Sequence, residues 1–149
     1  MKIEDEIKQK AFTNPQHRMT VNILFTASWL QTHHLRMLKP FGITPQQFNV
    51  LRILRGQHPG AASVSLIQER MLDRSSNASR LVDKLFAKKL VDRKTCPEDR
   101  RQVDIKITES GLSLLAKMDE EMKKWDTTLS GLTTEEATLL GDLLDKLRG

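Results

Sequence analysis

The apolar residues of this chain change their spacing in one region, and that change limits the folds that the sequence allows. Val103, Ile105 and Ile107 alternate with polar residues, which is typical of a β-strand. A second short strand is predicted at residues 90–95, with a turn around Pro97 between the two strands. Helical spacing elsewhere predicts a mainly α fold with one small β-hairpin.

Two helices joined by a tight turn are predicted just before the hairpin. The first begins at Ser65, where Ser65 and Gln68 have capping-box spacing, and it ends near Met71 or Leu72. The second follows several N-cap candidates at residues 73–76. Its apolar stripe is predicted to face the core and consists of Ala78, Leu81, Val82, Leu85 and Phe86.

The opposite face of that second helix carries polar and basic side chains, namely Ser76, Asn77, Ser79, Arg80, Asp83 and Lys84. This arrangement is the helix-turn-helix pattern, in which the second helix lies in the DNA major groove. The hairpin that follows is then a wing, with Asp99, Arg100 and Arg101 near its tip. Arginine suits the negative potential of a narrow minor groove, and Asp99 is expected to orient one guanidinium group.

Helices are also predicted on both sides of this region. The first 38 residues have helical spacing with a possible break at Asn14-Pro15, and Pro40 and Gly42 end that helix. The next helix opens at Thr44-Pro45-Gln46-Gln47, which combines an N-cap, a proline at the first helical position and a capping box.

Two more helices follow Gly111, and the second opens at the capping box formed by Thr133 and Glu136. No linker of low complexity separates these parts. We therefore predict a single domain over residues 1–149, with a winged helix-turn-helix lobe at 44–111 and helical flanks at 1–43 and 112–149.

Basic residues are concentrated in the middle of the chain. Residues 74–106 contain ten bases and five acids, which accounts for the whole formal charge of +5. A local excess of this kind favours a polyanionic partner, although a solvated surface explains the charge equally well. The single cysteine, the acidic N-terminus and the lack of a long apolar run predict a cytoplasmic protein with no membrane partner.

Catalytic and metal-binding motifs are not found in the sequence, so we expect neither an enzyme nor a cofactor or metal. Adjacent His33 and His34 point in different directions on a helix, which prevents the chelation that an i, i+4 pair allows. Cys96 lies among basic residues, a setting known for reactive thiols, but we favour an incidental cysteine over a redox sensor.

The wing sequence resembles that of the MarR family of bacterial transcription regulators. Asp99-Arg100-Arg101, followed by Val103, Ile105, Ile107-Thr108 and Gly111, is similar to the "DRR…LTxxG" signature of that family. Residues 79–85 resemble its recognition helix, and residues 89–93 resemble the segment that connects this helix to the wing. Lys89 stands where typical members have glycine, which predicts a slightly different helix end.

The resemblance implies a homodimer in which the first and last helices of both chains interlace, so that two winged lobes lie over a pseudo-palindromic operator in double-stranded DNA. The leucine-rich C-terminal helices agree with a twofold interface, with packing inside one chain as the alternative. Typical members suggest a repressor, and the two recognition helices would lie about 34 Å apart along the duplex.

Residue roles follow from position. The expected base contacts are Ser76, Asn77, Ser79 and Arg80, with Arg80 on guanine and Asn77 on adenine. Arg100 or Arg101 is expected in the minor groove. The expected phosphate contacts are Arg74, Lys84, Lys88 and Arg93.

Many members release DNA when a small aromatic or phenolic molecule binds between the dimer helices and the lobe. The corresponding pocket residues here are Trp29, His33, Phe48 and Arg52, although ordinary core packing explains each of them as well. The alternative to an operator-binding regulator is a winged helix that contacts protein or RNA without operator specificity.

Overall fold

The computed structural model describes residues 1–99, 101–128 and 131–149. Arg100, which was expected in the minor groove, and Leu129, which has helical spacing with the apolar residues after Gly111, lie outside the described residues. The elements in chain order are α1 (Ile3–Glu6), α2 (Pro15–Leu38), a 3-10 turn (Lys39–Phe41), α3 (Pro45–Gln57), β1 (Ala62–Ser63), α4 (Val64–Arg70), α5 (Ala78–Ala87), β2 (Val91–Thr95), β3 (Val103–Ile107), α6 (Glu109–Thr128) and α7 (Thr134–Arg148).

The predicted mainly α fold with a β-hairpin wing is confirmed. The first long helix is shorter than the sequence suggested, because it begins at Pro15 and only the four residues of α1 are helical before it. The side chain of Asn14 accepts a hydrogen bond from the backbone N–H of His17, which makes Asn14 the N-cap. The possible break at Asn14-Pro15 is therefore the true start of α2.

Two capping boxes are formed as predicted. Thr44 accepts a hydrogen bond from the Gln47 backbone N–H, and the Gln47 side chain accepts one from the Thr44 N–H. Thr133 and Glu136 repeat this arrangement at the start of α7. Each box satisfies two backbone donors that a helix start otherwise leaves without partners.

The sheet has three antiparallel strands in the order β1-β3-β2. In the hairpin, Val91 pairs with Ile107 and Thr95 pairs with Val103. Ile105 and Ile107 are buried while Lys106 between them is exposed, which is the predicted alternation. Strand β1 was not predicted, because two residues are too few to show a period of two.

The core lies between α3, α4, α5, the sheet and the start of α6. Its fully buried side chains include Leu38, Leu51, Ile67, Leu85 and Met118. It therefore reaches a few residues beyond both ends of the predicted lobe at 44–111. By contrast, none of the residues described in α7 is buried.

Two predicted helix starts in this lobe are wrong. Helix α4 is capped by Ser63, whose hydroxyl accepts from the Leu66 N–H, and not by a box at Ser65. Helix α5 is capped by Asn77, whose Oδ1 accepts from the Arg80 N–H, and not by a residue among 73–76. Several neighbouring side chains could serve as caps, and spacing does not choose among them.

Phe86 was predicted in the core, but it is 42% exposed. The guanidinium carbon of Arg93 lies 4.2 Å from the centre of its ring, so the ring is covered by a cation instead of by apolar side chains.

Helix α5 ends in a Schellman motif. The N–H of Leu90 donates to the carbonyl of Leu85, and that of Lys89 donates to Phe86. Lys89 has a φ of +60°, the left-handed conformation that glycine favours. The helix end predicted to differ because of Lys89 thus has the backbone shape that suits glycine.

Replacing Lys89 by glycine is expected to raise the free energy of unfolding by about 1 kcal/mol, because a left-handed conformation costs a residue with a Cβ roughly that much. Urea unfolding of both proteins measures the difference. Lys89→Ala is the matched control, since it removes the charge and keeps the Cβ. An equal gain in Lys89→Ala would mean that charge, and not backbone conformation, limits stability here.

Candidate nucleic-acid interface

Helix α5 presents a polar and basic face to solvent. Ser79, Arg80 and Lys84 are exposed, while Ala78, Val82 and Leu85 on the other side are buried. Arg80 lies in the first turn of the helix, and its guanidinium has no carboxylate partner in the described part of the chain. The first turn is where recognition helices contact base edges.

Two of the expected base contacts, Asn77 and Ser76, have side chains that are not fully available to DNA. The Oδ1 atom of Asn77 accepts the capping hydrogen bond, whereas a bidentate contact to adenine needs both the carbonyl and the amide group. The hydroxyl oxygen of Ser76 is buried and does not reach the exposed face where it was expected. Arg80 and Ser79 are the stronger candidates for base contacts.

The turn between α4 and α5 is held by Gln68 and Asp73, which were predicted only as capping residues. The Gln68 amide donates to the carbonyls of Ser76 (2.8 Å) and Arg74 (3.3 Å), and its Oε1 accepts from the Ala78 N–H (3.0 Å). Asp73 Oδ1 accepts from both the N–H and the hydroxyl of Ser75, and these bonds lower the pKa of Asp73. The three hydrogen bonds of the Gln68 side chain fix the start of α5 relative to α4.

The wing tip is closed by local hydrogen bonds. The Asp99 backbone carbonyl accepts from the Gln102 N–H, and the Asp99 carboxylate accepts from the backbone N–H of Arg101 at 2.9 Å. This carboxylate shapes the backbone of the turn, and the expectation that it orients the guanidinium of Arg100 lies outside the described residues. Arg101 is exposed, and its side chain forms no ion pair with the described residues.

The four expected phosphate contacts fall into two groups. Arg74 and Lys84 are exposed cations without ion pairs among the described residues. The ammonium group of Lys88 instead donates to the carbonyl of Gly42 and to Gln47 Oε1. Arg93 is paired with Asp83 on α5. Such long-range partners cannot be read from local sequence.

Only part of the expected effector pocket is brought together. Phe48 and Arg52 line a cleft of about 730 Å³ between α2, α3, α6 and the α4–α5 turn. Trp29 and His33 do not line it, because their side of α2 is turned away from it. Their rings are 4.6 Å apart, and His33 lies 5.7 Å from Trp125. Their place in an effector pocket of a dimer therefore stays a prediction.

His34 was not expected in the cleft but lines it. Its ring meets Phe48 edge-on at 5.5 Å and Trp125 at 5.9 Å. Burial lowers the pKa of His34, which favours the neutral imidazole, and its Nε2 atom is buried without a hydrogen-bond partner. The cleft is therefore lined by the rings of His34 and Phe48, the guanidinium of Arg52 and the carboxylate of Asp73.

Other chemistries find no geometric support in the residues described. Among them, no three His, Cys, Asp or Glu side chains are grouped to hold a metal ion. No helix in the same residues is long and apolar enough to cross a membrane.

This chain is similar in sequence and in fold to known transcription regulators. A model of the MarR family matches residues 41–102. The transcriptional regulator MhqR of Bacillus subtilis is 30% identical over 119 residues, which cover 79% of this chain and 81% of MhqR. A MarR transcription factor of Planctomyces limnophilus superposes with a TM-score of 0.70 at 27% identity, covering 91% of this chain and 98% of that one.

A regulator from Bordetella bronchiseptica, BpsR, whose DNA binding is regulated by 6-hydroxynicotinic acid, has the same fold. The TM-score is 0.69 at 24% identity, and the match covers 87% of this chain and 99% of BpsR.

A winged helix with an exposed polar recognition helix and arginine on its wing defines the class of DNA-binding transcription regulators. Within that class, the chain belongs to the MarR family. The similar proteins are transcription regulators and not enzymes.

Proposed function

We propose that the protein is a cytoplasmic homodimeric repressor that binds a pseudo-palindromic operator. Helix α5 would lie in the major groove and the wing in the minor groove. The observation that carries this proposal is the exposed guanidinium of Arg80 in the first turn of α5, which has no ion pair among the described residues, on the same lobe as the exposed Arg101 of the wing. These are the side chains that recognise guanine edges and narrow minor grooves.

The contacts that we propose omit four residues of the initial set, namely Ser76, Asn77, Lys88 and Arg93, of which Arg93 is paired with Asp83. Arg80 and Ser79 read base edges, Arg101 and Arg100 enter the minor groove, and Arg74 and Lys84 bind phosphates. Asn77 and Ser76 act mainly on the helix start. Lys88 is engaged with Gly42 and Gln47, which removes it from the proposed phosphate contacts.

Unpartnered apolar faces on α2 and α7 support the dimer. The exposed leucines there are Leu24, Leu30, Leu35, Leu139, Leu140, Leu143 and Leu147. Apolar faces of this extent in a helical arm are typically covered by a partner, and a twofold dimer is the commonest solution. We propose that residues 1–43 and 112–149 dimerise and that residues 44–111 bind DNA.

Selection of binding sites from random duplex DNA tests the DNA part of this proposal. At about 150 mM salt, where nonspecific phosphate binding is weakened, we expect a palindrome with half-sites about one helical turn apart. Absence of an enriched motif, with binding to RNA or protein instead, would favour the interaction-module alternative.

The cleft beside Phe48 supports a small aromatic anion as effector. Arg52 supplies a cation whose guanidinium carbon lies 5.6 Å from the centre of the Phe48 ring, and the rings of Phe48 and His34 supply an aromatic surface. A ligand that prefers one arrangement of the two lobes would shift the dimer toward a spacing that fits or does not fit the operator.

Arg52→Gln is expected to weaken binding of such a ligand by at least about tenfold, because a hydrogen bond to a charged group contributes roughly 1.5–3 kcal/mol. The probe is 6-hydroxynicotinic acid, followed by tryptophan fluorescence in a Trp29→Phe background, where Trp125 near the cleft is the single tryptophan. Arg36→Gln is the matched control, because Arg36 does not line this cleft. Equal affinity in both variants, or no binding to the unmodified protein, would contradict this assignment.

A further inference from the structure

Arg93 on the wing and Asp83 on helix α5 form an ion pair between the two DNA-binding elements. The guanidinium of Arg93 also lies over the Phe86 ring, 4.2 Å from its centre. Asp83 and Phe86 are one turn apart on α5, so they present one carboxylate and one ring to the same strand. We refer to these three side chains as the wing brace.

We infer that the wing brace positions the wing relative to the recognition helix, and that Arg93 serves this purpose instead of binding a phosphate. This inference rests on the proposed DNA-binding function.

The position of the brace in the sheet supports this role. In the described part of the chain, β2 is an edge strand that pairs only with β3, so side-chain contacts to α5 restrain the free side of the hairpin. Arg93 is close to the middle of β2, at the level of Ile105 on β3. A guanidinium held at once by a carboxylate and a ring face has both its direction and its plane restrained.

An acid on a DNA-binding surface requires a reason, since it repels phosphates. Asp83 lies on the recognition helix and is exposed, so electrostatics alone predicts that its removal strengthens DNA binding. The brace predicts the opposite result, because loss of Asp83 leaves the wing without its anchor. The two explanations therefore differ in the sign of the effect.

The single cysteine of the chain allows the wing position to be tested without DNA. Cys96 follows directly after β2 and is partly exposed, so it accepts a nitroxide spin label. In Asp83→Asn and in Arg93→Gln we expect greater mobility of this label, with little change in melting temperature because an exposed ion pair contributes little stability. Unchanged mobility in both variants would overturn the brace.

DNA binding to the selected operator supplies the second measurement. Asp83→Asn is expected to weaken affinity by up to about fivefold, the factor that corresponds to an exposed ion pair. Asp92→Asn is the matched control, because Asp92 is an exposed acid on β2, next to Arg93, without an ion pair in the described part of the chain. It should leave affinity unchanged or raise it slightly. Tighter binding by Asp83→Asn would overturn the inference.

The salt dependence separates a positioning role from a phosphate contact. Loss of one phosphate contact reduces the slope of log affinity against log salt by about 0.9. We expect Arg93→Gln to weaken binding with an unchanged slope, and the double variant with Asp83→Asn to bind no more weakly than either single variant. A reduced slope or additive losses would make Arg93 a phosphate contact.

The outcomes also separate this inference from the proposed function. If the unmodified protein selects no operator, the proposed function fails, while the label mobility still decides whether the brace exists. If it selects an operator and Asp83→Asn binds it more tightly, only the positioning role fails.

Discussion

Leu143→Glu is expected to convert the protein to a monomer and to lower operator affinity by about a hundredfold or more. Leu143 is 53% exposed in the single chain and lies on the leucine face of α7, so a charge there enters the proposed interface without disturbing the lobe core. Simultaneous binding of two half-sites raises the operator affinity of a dimer by a factor of about 10² to 10⁴. A monomer loses this increase in affinity. Light scattering and operator titration measure the two effects.

Thr138→Glu is the matched control, since it adds the same charge on the opposite face of α7 at an exposed position. It should remain dimeric and bind normally. If Leu143→Glu stayed dimeric with unchanged affinity, the dimer would use another surface, and the proposed role of residues 112–149 would be wrong.

Arg80→Ala is expected to reduce discrimination between the best operator and a mismatched one by about 1 to 3 kcal/mol, the value of a bidentate contact to guanine. The reason is that Arg80 is exposed and unpaired among the described residues, and its backbone is held in the first turn of α5 by the Asn77 cap. Competition titrations on matched and mismatched duplexes measure the effect.

Lys84→Ala is the comparison for this result. As a proposed phosphate contact, it should weaken binding to both duplexes equally and reduce the salt slope by about 0.9. Equal weakening on both duplexes by Arg80→Ala as well would mean that Arg80 binds the backbone and that another side chain reads the bases.

Local chemistry explains why much of the lobe was predictable from sequence. The capping boxes at Thr44 and Thr133 depend on residues three apart, and the alternation from Val103 to Ile107 depends on a period of two. Both signals are complete within a few residues. The structure therefore has the helices at these caps and the strand at this alternation.

The errors arose where partners are distant in the chain. Phe86 fits an apolar stripe, but Arg93 covers its ring from a neighbouring strand. Lys88 resembles any surface lysine, although it reaches Gly42, which is 46 residues away in the chain. No local pattern encodes such contacts, because they depend on how the elements pack.

Of the four expected pocket residues, Phe48 and Arg52 line the cleft, and the reason that the other two do not is related. Helix α2 carries apolar and aromatic residues on more than one face, so the spacing does not show which face turns toward the lobe. His34, one residue after the predicted His33, is the one that lines the cleft. A rotation by one residue, about 100° around the helix, separates the two histidines.

Replacement of single guanines by 7-deazaguanine in the selected operator tests the central claim, that α5 reads base edges in the major groove. This change removes only the N7 acceptor that arginine contacts. The account predicts one sensitive guanine in each half-site, about 34 Å apart, with the sensitivity lost in Arg80→Ala. Equal sensitivity in both proteins, or none in the unmodified protein, would contradict it.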